Sequence, residues 1–63
     1  MNKAEAIKKT GYTENELIHL GLISMKLRMK EARNNCVTSE EYDHYDALVK
    51  AYDAMVIEYE KKV

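Results

Sequence analysis

Two tetrapeptides divide this chain. Thr13-Glu14-Asn15-Glu16 and Thr38-Ser39-Glu40-Glu41 each place a glutamate three residues after a threonine. That spacing is a capping box. The hydroxyl accepts from the backbone N–H of the third helical residue, and the carboxylate reaches back to the N–H of the threonine. Apolar residues occupy the staple positions around each box, Tyr12 with Leu17 and Val37 with Tyr42. There is no proline and there are only two glycines, so little interrupts a helix once a box has started it. Helices are predicted to begin near residues 13 and 38.

The first of these should end around Arg33 to Asn35. Asparagine tolerates the left-handed conformation there, and Arg33 suits the negative end of the helix. The connection from Asn34 to Val37 is then short, which makes the two helices antiparallel neighbours. Upstream, Asn2 is placed to cap a brief helix that Gly11 closes. The expected fold is all-α, a single domain over 1–63. An antiparallel hairpin of helices near 13–34 and 38–62 follows a short helix near 2–10.

Length now matters. At 63 residues the chain lies below the roughly 70–80 at which one core suffices. Cys36 is the lone cysteine, so no internal disulfide can form, and no Cys/His cluster has zinc spacing. No metal or other cofactor is expected. What is left to complete the fold is helix packing and self-association, and the hairpin is expected to pair into a dimeric helical bundle.

The last helix contains a repeat. Tyr45-Asp46-Ala47-Leu48-Val49 returns as Tyr52-Asp53-Ala54-Met55-Val56 and fades in Tyr59-Glu60-Lys61-Lys62-Val63. As heptads, Tyr42, Val49, Val56 and Val63 are at a, and Tyr45, Tyr52 and Tyr59 at d. Leu48 and Met55 widen the seam at g, and Asp46, Asp53 and Glu60 form the e row. A tyrosine ring can be buried only if its hydroxyl reaches water or a partner. The seam is therefore either the hairpin core at a wet edge or a docking face for another chain.

The first long helix has two apolar stripes. Ile18, Leu22, Met25, Met29 and Ala32 recur at helical spacing, and Leu20, Ile23 and Leu27 lie roughly opposite. A hairpin partner can cover only one stripe. Leu20, Ile23, Leu27, Met25 and Met29 are accordingly the expected self-association residues. Gly21, in mid-helix, is read as a notch for a close neighbour.

Residues 1–35 carry seven Lys/Arg and four Asp/Glu (+3), and residues 36–63 carry three and seven (−4). Folded as a hairpin, the halves attract, with Lys26, Arg28, Lys30 and Arg33 facing the e row. The overall balance of −1 provides no field favouring DNA or an anionic membrane. No stretch approaches the ~20 apolar residues of a membrane span. Met1 to Tyr12 lacks the apolar core of a signal peptide. A reducing cytoplasm, of a bacterial or host cell, is the expected compartment.

Catalytic pieces are few. His44 lies between acidic neighbours on a solvent-facing turn, His19 is read as a surface histidine that either pairs with Glu16 or caps a partner, and Cys36 is expected to be an inert loop thiol. No metal site is expected. The stretch Tyr42-Asp43-His44-Tyr45-Asp46, with Leu48-Val49 and Tyr52, resembles the second helix of the small aspartyl-phosphate phosphatases of the bacterial sporulation phosphorelay. The likeness covers about eleven residues, and the Ser, Gln, Glu and Leu of that family's motif are missing. It implies a helical hairpin in which Asp46 would carry a phosphatase role.

The pattern as a whole leads to a non-enzymatic expectation: a small homodimeric regulator or inhibitor, of the kind phages and mobile elements encode, binding a larger protein. Its partner-binding face would comprise Tyr45, Tyr52 and Tyr59 with Glu40, Glu41, Asp43, Asp46 and Asp53. The alternative is a helical dimer that binds nucleic acid through the basic half.

Overall fold

Each helix starts where its cap dictates. The computed structural model, which describes residues 1–63, contains α1 (Lys3–Thr10), α2 (Glu14–Asn35) and α3 (Ser39–Glu60). Asn2 Oδ1 accepts the Glu5 N–H at 2.9 Å and opens α1. At α2 the box is complete. Thr13 Oγ1 accepts the Glu16 N–H at 3.1 Å, and Glu16 Oε1 accepts the Thr13 N–H at 3.0 Å.

The second box forms only by half. Thr38 Oγ1 accepts the Glu41 N–H at 3.1 Å, but no bond returns from Glu41 to Thr38. Its expected staple is absent too, because Val37 is 91% exposed. The connection between α2 and α3 is only Cys36-Val37-Thr38, and so tight a turn pushes its middle side chain outward. Tyr42 instead lies beneath the Arg33 guanidinium, 5.7 Å from the ring centroid. Cys36 caps the end of α2, its thiol donating to the Arg33 carbonyl at 2.8 Å.

α1 ends at Gly11, which adopts φ 78° and donates to the Lys8 carbonyl. This is the left-handed closing position at which a residue with a Cβ is strained.

α2 and α3 pack antiparallel along their length, and α1 has no comparable interface. Leu22 from α2, with Val49 and Val56 from α3, are the buried residues. The core is thus the middle of the a row against the middle of one α2 stripe. The outer a residues, Tyr42 and Val63, are exposed where the hairpin ends. Tyr45, Tyr52 and Tyr59 are half-buried, as rings at the edge of a seam should be.

The overall extents are 44 × 25 × 13 Å, with a radius of gyration of 14.7 Å. A compact chain of this length would have about 11 Å. The smallest extent, 13 Å, is close to one helix diameter of about 10–12 Å. The molecule is therefore a single layer of helices, and both broad faces of the hairpin are open.

Candidate functional site

The inner edge of the hairpin carries three rungs, two of them ion pairs and the third a longer histidine–carboxylate approach. His19 Nε2 and Glu60 Oε1 are 3.9 Å apart, Lys26 and Asp53 are 3.0 Å apart, and Arg33 and Asp46 are 2.7 Å apart. On α2 the rungs step forward by seven residues, and on α3 they step back by seven. This is the e-to-e′ arrangement of an antiparallel heptad seam, so the repeat of α3 has a matching repeat of His19, Lys26 and Arg33 on α2. The expected attraction between the halves is confined to these positions. Arg28 and Lys30 were expected to join it but form no ion pair within the chain. Lys30 is turned away from α3, and Arg28 flanks the opposite edge of the seam, where α3 has Leu48 and Met55 rather than acids.

Asp46 is the most engaged side chain. It receives Lys50 at 3.0 Å as well as Arg33. Hydrogen bonds from Lys50 and then Arg33 hold its carboxyl below the usual aspartate value. His19 does not pair with Glu16, whose carboxylate is occupied by the capping box. It turns inward toward Glu60, where Nε2 is buried beyond hydrogen-bond distance. Arg33 Nε is buried without a partner as well.

The candidate residues separate into groups. Leu20 and Leu27 are 48% and 57% exposed, and Ile23 beside them is half-buried. Met25 and Met29 are half-buried on the other stripe, the one that contains buried Leu22 and faces α3. Asp46 and Asp53 are taken up by the ladder. Glu40, Glu41 and Asp43 are exposed and make no ion pair, leaving a free acidic end at the start of α3. His44 is exposed and meets the Tyr45 ring edge-on at 5.2 Å.

Two features lay outside the sequence reading. Ile57 is 51% exposed at a b position, off the seam, where its only sequence signal is an aliphatic side chain out of phase with the heptad. Gly21 is no notch within the chain: a Cβ there would meet nothing within 4 Å.

The one surface depression is shallow and open, between α1 and the start of α2. It is lined by Lys3, Ala4, Ile7, Lys8 and Glu14, with Lys3 and Glu14 paired at 2.6 Å. No three His, Cys, Asp or Glu side chains converge as metal ligands would. No helix is long and apolar enough to cross a membrane.

The architecture is thus an all-α antiparallel hairpin with a short N-terminal helix and two uncovered faces. No family model matches the sequence, and no curated protein or solved structure is significantly similar to it.

Proposed function

We propose that the protein is a small non-enzymatic interaction module that pairs with a second copy and, as a dimeric helical bundle, binds and regulates a larger protein. The observation that carries this reading is the single-layer architecture. Stable folds stack at least two layers around a core, whereas here only Leu22, Val49 and Val56 are buried and Leu20 and Leu27 face solvent. A second hairpin on that stripe supplies the missing layer. The target would then meet the free acidic end, Glu40, Glu41 and Asp43, and the exposed rims of Tyr45, Tyr52 and Tyr59. Tyrosine is enriched at the centres of protein interfaces.

Catalysis is the weaker reading. Asp46, the residue the phosphatase resemblance would carry over, is bound on both sides by Arg33 and Lys50. Nucleic-acid binding is weakened in a similar way, since ion pairs take up Lys3, Lys26 and Arg33 and leave Lys8 and Lys9 on α1 apart from Arg28 and Lys30 on α2.

Sedimentation equilibrium tests the proposal. The wild type should be dimeric at micromolar concentration, and Leu20→Glu and Leu27→Glu should shift it to monomer. A folded monomeric wild type with both substitutions silent would overturn it. Tyr45→Ala with Tyr52→Ala separates the two readings of the tyrosines. A docking face loses target binding with the fold intact, while a core seam loses several kcal/mol of stability.

A further inference from the structure

The exposed stripe of α2 has a charge pattern that specifies its occupant. Reading along the helix, it is Glu16, Leu20, Ile23, Leu27 and Lys30. The steps of four, three, four and three residues keep all five on one face. Opposite charges lie seven residues either side of Ile23. Glu16 accepts the Thr13 N–H through one carboxylate oxygen and has no ion pair, and Lys30 is exposed without an acidic partner.

Such a stripe is complementary to itself only when reversed. Two parallel copies would set glutamate against glutamate and lysine against lysine. Two antiparallel copies related by a two-fold axis near Ile23 bring Glu16 of each to Lys30 of the other, with the leucines between. This is the self-complementarity that an isologous interface requires.

Nothing in the chain blocks the approach. α1 is tied to α2 through Lys3 and Glu14. Glu14 is two residues, or about 200°, around the helix from Glu16 and so lies on the far side of α2 from the stripe. From Glu16 to Lys30 the stripe is about 21 Å long. An interface of roughly 800 Å² per partner would cover about a sixth of the 4827 Å² surface.

The geometry points to a second copy of this chain docked antiparallel on α2, with reciprocal Glu16–Lys30 ion pairs at the two ends of a Leu20–Ile23–Leu27 contact. The inference rests on the self-association reading above and specifies its face, direction and register.

Charge exchange tests it by sedimentation equilibrium at low ionic strength, with circular dichroism as the check on folding. Lys30→Glu should weaken dimerisation about tenfold, the order expected when two partly shielded ion pairs become two like-charge contacts. Adding Glu16→Lys to Lys30→Glu should restore it. Mixing the two single variants should yield a heterodimer tighter than either homodimer. A second measurement does not depend on the capping role of Glu16. Ile23→Cys in a Cys36→Ser background should oxidise readily to a covalent dimer, because a residue at the two-fold axis meets its own copy. A dimeric wild type with Lys30→Glu unchanged, with no restoration in the double variant, or with no Ile23→Cys cross-link overturns the antiparallel α2 contact alone. A monomeric wild type overturns the self-association reading together with it.

Discussion

Single side chains in this protein act mainly through what they leave free. Gly21 has helical neighbours on both sides and open space where a Cβ would be, so its cost is purely conformational. Gly21→Ala should raise stability by about 1 kcal/mol, read from the urea midpoint. If that variant gains stability but loses self-association, another chain approaches closely at Gly21. Asp46 sets a pH dependence with a definite sign. Its carboxyl titrates lower in the folded chain than in the unfolded one, because Lys50 and Arg33 hold the charged form. The stabilisation is therefore full above about pH 4, the ordinary aspartate range, and is lost as pH falls through the lower folded value. Urea midpoints between pH 7 and pH 3 should fall less for Asp46→Asn than for the wild type. The same slope in both would assign the acid sensitivity to other carboxylates.

Among the elements, α2 and α3 depend on each other, while α1 is held to α2 by little more than the Lys3–Glu14 ion pair. α1 is eight residues long, with no buried side chain and with Ile7 half-buried at best. Ile7→Ala should cost well under the roughly 2–5 kcal/mol expected for Leu22→Ala, since only Leu22 leaves a hole in a packed seam. The ladder fixes register more than it stabilises. Lys26 is largely covered while Asp53 is half-exposed, so a double-mutant cycle on the pair should give a coupling of about 0.2–1 kcal/mol. Helix boundaries were legible in the residues because capping is local: Asn2, Thr13, Thr38 and Gly11 act where their sequence signatures place them. The ladder was legible only in outline. The acidic e row is plain in the repeat, but which cations meet it depends on the register of α2, and that selected Lys26, Arg33 and His19 over Arg28 and Lys30. Val37 departs from its staple position for a related reason, since a three-residue connection leaves no room to turn its side chain inward.

For the whole molecule, the governing fact is that a layer one helix thick buries little apolar surface. Hydrophobic stabilisation scales with area removed from water, and here much of the aliphatic area of α2 stays wet. If pairing completes the fold, the melting temperature should rise with protein concentration, as it does whenever the folded state is the one that associates. Calorimetry or circular dichroism over a hundredfold concentration range checks this. A melting temperature independent of concentration would mean that the lone hairpin is stable by itself.

What the residues determined unaided was the helical punctuation and the surplus of apolar faces, because caps and periodicity act within a few residues of each other. The tertiary structure decided which charges pair, which methionines face inward and which leucines stay exposed. Those outcomes depend on how one helix is rotated and slid against another, which the packing of Leu22 against Val49 and Val56 sets for the pair as a whole.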